Sequence, residues 1–169
     1  MMTSKEILNL KVVEIASGST IGTVTGILID GETKLMAALQ VGGSFFINPV
    51  YVPFENIKAI ENDVAMVESQ SSVVNRGTFK NNDMIDDMMN RKALTDDGID
   101  IGTIHDYDID IMNGEVTSVS VAIDKAVLGG LWQSAGERFD IPRSQIVTLG
   151  DNVIVDKSIS AIIGKDKTS

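Results

Sequence analysis

Apolar and polar residues alternate along short stretches of this chain, and glycine-containing turns separate the stretches at intervals of roughly 8 to 12 residues. The alternation is clearest where one stretch carries an apolar face and an acidic face: Tyr107, Ile109 and Ile111 against Asp106, Asp108 and Asp110. A period of two residues is that of a β-strand with one buried face. The pattern predicts a mainly β protein built as small barrels or sandwiches, and not as parallel βαβ units.

The chain also contains an internal repeat, whose second copy follows the first at an offset of 80 or 81 residues. Gly-Ser-Thr-Ile-Gly-Thr at 18–23 recurs as Gly-Ile-Asp-Ile-Gly-Thr at 98–103. Both copies end in Pro-x-x-x-Ile, starting at Pro53 and Pro142, where the offset has grown to 89. The second copy therefore carries an insertion of nine residues that the first copy lacks.

The repeat predicts two small domains in tandem. Its limits give repeat 1 at 3–69, a linker rich in Ser and Asn at 70–82, repeat 2 at 83–157 with an insertion at 122–141, and a polar C-terminal tail at 158–169.

A short helix is predicted ahead of the strands in each copy. In copy one, Thr3 and Glu6 form a capping-box pattern, in which the hydroxyl and the carboxylate each accept a backbone N–H at the helix start. In copy two, Asn82 or Asp83 is the predicted cap. One helical face would then carry Met84, Ile85, Met88 and Met89.

These motifs resemble the PRC-barrel family, the β-barrel shared by the reaction-centre H subunit and the C-terminal half of a ribosome maturation factor. The resemblance rests on the Leu-Asn-x-Lys-Val and Met-Asn-Arg-Lys-Ala entries, the Gly-x-x-Ile-Gly hairpin, and the closing Val-Pro-Phe-Glu-Asn-Ile and Ile-Pro-Arg-Ser-Gln-Ile segments. The motifs occur in two copies, which together cover nearly the whole chain. The resemblance implies two PRC-like β-barrels in tandem and an adaptor role, with ribosome or RNA association as an alternative by kinship.

Composition narrows the classes of function. The absence of cysteine excludes disulfides, thiolate–zinc sites and cysteine nucleophiles. A formal charge of -10 repels nucleic acid and anionic lipid. His105 is the only histidine, so the usual nucleophile–base triads and zinc motifs cannot be written, and an exposed structural role is expected. We expect no catalytic residue, no metal, no cofactor and no nucleic-acid partner.

The start of the chain and its apolar runs predict a cytoplasmic protein that does not span a membrane. Glu6 introduces an acid where a signal peptide needs an apolar stretch. The uninterrupted apolar runs are far shorter than the roughly 20 residues that a spanning helix requires.

Asp106, Asp108 and Asp110 suggest ligand chemistry, since carboxylates on one strand face at about 7 Å intervals could hold calcium with help from a loop. An EF-hand loop starting at Asp106 would require Gly and Glu where the chain has Ile111 and Thr117. A solvated strand face, with Asp110 as a turn residue, explains the same charges. A small-molecule, metal-ion or enzymatic site here is therefore kept as an alternative.

The insertion holds the candidate binding residues Leu128, Leu131 and Trp132, which include the only tryptophan. Phe45 and Phe46 occupy the equivalent region of copy one. If exposed, Trp132 would anchor a partner. If buried, it would cover the barrel or pack between the copies, because domains of this size bury little surface alone. Both interpretations remain open.

We therefore expect a non-enzymatic protein-interaction module, whose partner and process the sequence does not identify. It would dock another protein, or a second copy of itself, through its barrel rims or the insertion at 122–141.

Overall fold

The computed structural model describes residues 1–43, 48–80, 82–123 and 138–163. The chain forms two compact units. Unit 1 contains Met1–Asp87 together with Ile109–Glu115, and unit 2 contains Met88–Asp108 and Val116–Ser169.

Strands make up most of both units. In chain order the elements are β1 Met2–Thr3, α1 Ser4–Ile7, β2 Lys11–Glu14, β3 Thr20–Asp30, β4 Leu35–Gly42, β5 Val50–Pro53, a 3-10 turn at Phe54–Asn56, β6 Ile57–Glu61, β7 Val64–Val67, 3-10 turns at Gln70–Ser72 and Arg76–Thr78, and β8 Met84–Ile85. They continue with β9 Lys92–Thr95, β10 Asp100–Ile109, β11 Val116–Ile123, β12 Arg138–Pro142, a 3-10 turn at Arg143–Gln145, β13 Ile146–Leu149, β14 Val153–Val155 and α2 Ser158–Ile163.

The two sheets have the same strand order. One runs β5-β4-β3-β2-β7-β6 and the other β12-β11-β10-β9-β14-β13, so each strand of the first has its counterpart in the second. In both, two short strands pair in parallel, β2 with β7 in the first sheet and β9 with β14 in the second. Within the described ranges neither sheet closes into a complete barrel. The predicted mainly β fold with two tandem barrel-like domains is confirmed.

The residues that match between the copies fill the interiors of the two units. On β4 and β11 the matched side chains are at most 2% exposed. They are Met36, Leu39 and Val41, and their counterparts Val116, Val119 and Val121. A register shift in the β3–β4 ladder lies between Met36 and Leu39, so both can face the interior although they are three residues apart.

The same turn closes the β3–β4 and β10–β11 hairpins. Asp30 and Asp110 each accept, on Oδ1, a hydrogen bond of 2.9 Å from the backbone N–H two residues later. Lys34 and Gly114 donate their N–H groups to the carbonyls of these aspartates and have positive φ angles of 58° and 80°. The prediction that Asp110 is a turn residue leaving its strand is confirmed.

The predicted helix of copy one is present, but the predicted helix of copy two is not. Thr3 donates its N–H to Glu6 Oε2 over 2.8 Å, and Glu6 N–H donates to Thr3 Oγ1 over 3.2 Å, which completes the capping box of α1. Met84 and Ile85 instead form β8, which pairs with the end of β3. The helical period of the methionines was misleading, because backbone pairing to β3 and burial of Ile85 outweigh local propensity.

Residues 70–87, which we call the strap, pack against the sheet of unit 1, although residues 70–82 are predicted to be a linker. Val74 and Tyr51 exchange two backbone hydrogen bonds of 2.8 and 2.7 Å at the edge of β5. Phe79 lies edge-on to Tyr51 at 6.0 Å between ring centroids. Arg76 Nε donates to Asp86 Oδ1 over 2.8 Å and ties two parts of the strap together.

The strap explains why β3 departs from simple alternation. Ile27, Leu28 and Ile29 are all buried, so both faces of the strand are covered at this point. Leu28 belongs to an outer cluster with Ala38 and Tyr51, against which strap residues Val74, Phe79 and Met84 pack.

The segment predicted as a polar tail begins with helix α2. Asp156 Oδ1 accepts the N–H of Ser158 over 2.8 Å, and this hydrogen bond holds the pKa of Asp156 below its usual value. Ile159 is fully buried, so the tail contributes at least one residue to the core of unit 2. The apolar residues Ile159, Ala161, Ile162 and Ile163 show that the first half of the segment is not polar.

We expect Gly102→Ala to destabilise the protein by about 1–3 kcal/mol, the usual cost of overpacking. Gly102 has a φ of 139°, and an added Cβ would lie 2.0 Å from the carbonyl oxygen of Ala122. The measurement is urea unfolding followed by circular dichroism. Gly77→Ala is the matched control, because a Cβ there meets nothing within 4 Å. Equal midpoints for the two variants would contradict the close approach of β10 to β11.

We also expect an alkaline loss of stability that depends on Tyr51. Burial, followed by the nearby carboxylate of Asp86, raises the pKa of Tyr51 above 10.0. The unfolded tyrosine therefore ionises first, and the free energy of unfolding falls as pH rises from the unfolded pKa through the folded one. Tyr51→Phe should remove this part of the pH dependence, measured by urea unfolding at neutral pH and above pH 10. An identical alkaline slope in the variant would show that Tyr51 ionises freely in the folded state.

Candidate interaction surface

Unit 1 carries an open groove with a volume of about 410 Å³. The groove lies along β6 and is lined by Phe54, Glu55, Ile57, Lys58, Ala59, Ile60, Glu61, Ile111 and Met112. Met112 is 87% exposed. The volume of the groove is in the range of ligand-binding clefts, roughly 300–1,000 Å³, and its lining mixes apolar side chains with three charged ones.

The sequence after β5 builds one wall of this groove. Pro53 is the last residue of β5, and the 3-10 turn Phe54–Asn56 redirects the chain into β6. The Asn56 side chain donates from Nδ2 to the carbonyl of Ser72 over 3.0 Å, which fixes the turn against the strap. A register shift between Ile57 and Ala59 then bulges β6 away from regular pairing with β7.

The turn 109–115 builds the other wall. Gly114 accepts the N–H of Met36 over 2.7 Å, and Glu115 forms an isolated antiparallel bridge with Leu35. Gly114 has a φ of 80°, which glycine adopts readily, and its Cα lies beside the ring of Phe54. These contacts hold Ile111 and Met112 beside β6.

Charges line the rim of the groove. Glu55, Lys58 and Glu61 are all exposed at its edges. Two carboxylates against one ammonium give the rim an acidic balance, in keeping with the net charge of the chain. In water such charges contribute more to the rate and selectivity of association than to affinity.

The three aspartates that suggested a ligand site have other partners. Asp106 accepts the backbone N–H of Tyr107 over 2.8 Å, and Asp108 Oδ2 accepts the hydroxyl of Ser118 over 2.9 Å. Asp110 caps its turn within unit 1. Among the residues that the structure describes, no group of three or more His, Asp or Glu side chains is placed to hold a metal ion.

The outer faces of the two sheets have diverged in polarity. The repeat places Asp108, Ser118 and Asp140 at the positions of Leu28, Ala38 and Tyr51 in unit 1. The unit 1 positions form the apolar cluster under the strap, whereas the Asp140 carboxylate in unit 2 is exposed and accepts the hydroxyl of Ser120. His105 is half-buried on β10.

Unit 2 has a smaller cavity of about 310 Å³. It is lined by Lys92, Asp100, Gly102, Thr103, Ala122 and Ile123. Lys92 Nζ lies 3.4 Å from Asp100 Oδ2, so its one cation is already paired with a carboxylate of the same cavity. This pairing makes the cavity a weak anion site.

The predicted binding residues fall in the segments 44–47 and 124–137. Phe45, Phe46, Leu128, Leu131 and Trp132 all lie outside the described residues, so their prediction stays untested. Sequence reasoning placed Ile111 on the apolar face of a strand and assigned no role to Met112. The signal was a large apolar Met112 next to the turn residues Asn113 and Gly114.

No helix in the described part of the chain is long and apolar enough to cross a membrane.

A search of curated proteins finds no match to the chain. The family model of the PRC-barrel domain matches residues 1–74, which end inside the strap. PRC-barrel domains are generally non-catalytic interaction modules. The second half of the chain repeats the strand order of the matched domain. The protein therefore contains a PRC-barrel domain at residues 1–74, within a tandem of two barrel-like sheets.

Proposed function

We propose that the protein is a non-enzymatic adaptor that binds another protein through the groove of unit 1. The observation that carries the proposal is the placement of exposed Met112 and half-buried Phe54 along an edge strand. An exposed apolar side chain beside a groove, rimmed by charges, is typical of a protein-binding surface.

The repeat supports the same proposal. The residues shared by the two copies shape turns and fill cores, as Asp30 and Asp110 and the buried residues of β4 and β11 do. The changes from apolar to polar between the copies, such as Leu28 to Asp108 and Tyr51 to Asp140, lie on the outer faces. Binding specificity can vary on such faces without altering the fold, whereas a catalytic centre would need reactive groups held together.

The net charge of -10 favours a basic protein as the partner over nucleic acid. The absence of cysteine suits a reducing compartment, and we place the interaction in the cytoplasm. Binding of a second copy of the chain through the same groove is the homo-oligomeric form of this proposal.

We expect affinity purification of the tagged protein from an extract of its own cells to recover a specific protein, and Met112→Glu to remove it. The new carboxylate would be buried in an apolar contact without a partner, so the affinity should fall tenfold or more. A tenfold loss corresponds to about 1.4 kcal/mol of binding free energy. The fraction bound is measured by quantitative mass spectrometry and confirmed with the purified partner.

Ile99→Glu is the matched control, because Ile99 is an exposed apolar residue of unit 2. Equal loss with both variants would place the contact outside the groove. Failure of the wild-type protein to retain any specific protein, at several salt concentrations, would count against the adaptor function itself.

The rival proposal, a cation or small-molecule site at Asp106, Asp108 and Asp110, gives the opposite result in a thermal-shift experiment. We expect calcium to leave the melting temperature unchanged, because these carboxylates already accept hydrogen bonds from Tyr107, Ser118 and the turn backbone. A calcium-dependent rise in melting temperature that disappears in Asp108→Asn would support the rival, since a bound ligand stabilises the folded state.

A further inference from the structure

We propose that the groove binds an extended segment of the partner protein, which adds as a strand to the outer edge of β6. One apolar side chain of that segment enters the groove, and a neighbouring basic side chain lies beside Glu55 or Glu61. This inference rests on the proposed function and specifies the mode and chemistry of the contact.

The two edges of the unit 1 sheet differ in how they are covered. At β5, the chain covers its own edge, because Tyr51 and Val74 exchange two backbone hydrogen bonds. At the other end of the sheet, β6 pairs with β7 alone as far as the described residues show. An exposed strand edge offers backbone donors and acceptors to another extended chain. Val74 shows, within this molecule, how such a segment docks.

The groove runs beside this edge, so a strand added to β6 would bring alternate side chains over it. The wall that faces such side chains is apolar, with Ile57 on one side and Ile111 and Met112 on the other. An apolar side chain placed there buries surface that is now in water, which is the main source of affinity in such contacts. Main-chain hydrogen bonds supply the direction of the added strand.

The acidic rim of the groove favours a basic segment of the partner. Glu55 and Glu61 flank the groove, and Lys58 is the single cation among its lining residues. A basic residue next to the apolar one would meet complementary charge, and an acidic segment would be repelled by the rim and by the chain as a whole. The occupant is therefore a strand that alternates apolar and polar residues and carries Lys or Arg.

The test uses the full chain and a library of short random peptides displayed on phage. We expect the selected peptides to alternate apolar and polar positions and to contain Lys or Arg. Their affinity, measured by fluorescence anisotropy with synthetic peptide, should fall about tenfold or more in Met112→Glu and stay unchanged in Ile99→Glu. Glu61→Lys should weaken binding several-fold at low salt and much less at high salt. Glu32→Lys is the matched control, because it makes the same charge change on the exposed β3–β4 turn of unit 1, and it should have little effect.

Backbone methylation of the peptide separates strand addition from other modes. N-methyl groups along one edge of the peptide should abolish binding, and the same number along the other edge should leave it intact, because only one edge of an added strand pairs with β6. Binding that ignores the methylated edge, or selection of acidic peptides, would overturn the proposal.

The outcome also distinguishes this inference from the function it rests on. If the partner recovered from extract binds in a Met112-dependent way but no selected peptide competes with it, strand addition is wrong and the adaptor function stands. If neither a partner nor a peptide is recovered, both proposals fail.

Discussion

The parallel pairing of β2 with β7, and of β9 with β14, is the constraint on which the rest of the structure depends. Lys11–Glu14 pair with Val64–Val67 in unit 1, and Ala93–Thr95 pair with Val153–Val155 in unit 2. Parallel strands cannot be joined by a tight turn, so each ladder closes a long stretch of chain and fixes both of its ends. Since β2 occupies one side of β7, and β9 occupies one side of β14, β6 and β13 can pair only on the remaining side, which places them at the outer edge of each sheet. The open edge beside the groove follows from this pairing.

The two copies share this strand order, but they differ in how the outer face of the sheet is shielded from water. Leu28, Ala38 and Tyr51 are apolar and need a cover, which the strap provides. The aromatic pair of Tyr51 and Phe79 adds about 0.5–1.5 kcal/mol beyond the area it buries. The counterparts in unit 2 are Asp108, Ser118 and Asp140, which carry polar groups that water can hydrate. Duplication thus preserved the interior while the surface changed.

The repeat and the turn chemistry were predictable from sequence because they depend on local rules. Period-two alternation, the capping box of Thr3 and Glu6, and the aspartate turns each need only a few neighbouring residues. The strap was not predictable, because its contacts come from single apolar residues, such as Val74 and Phe79, in a segment that is otherwise polar. The helical period of Met84 and Met88 failed for the same reason, since distant β3 decides the conformation. The groove combines distant segments, so no local pattern predicts it.

The composition of the groove also limits what the family match can explain. Residues 1–74 match the PRC-barrel domain and supply Phe54, Ile57 and the whole of β6. Ile111 and Met112 come from the turn 109–115, which is part of unit 1 but lies beyond the matched residues. A turn of the second copy thus forms a wall of the unit 1 groove, because the carbonyl of Gly114 accepts the N–H of Met36 and Glu115 pairs with Leu35. The first copy alone would present the same strand edge without that wall. The second copy therefore contributes residues to the proposed binding surface, in addition to providing a second sheet.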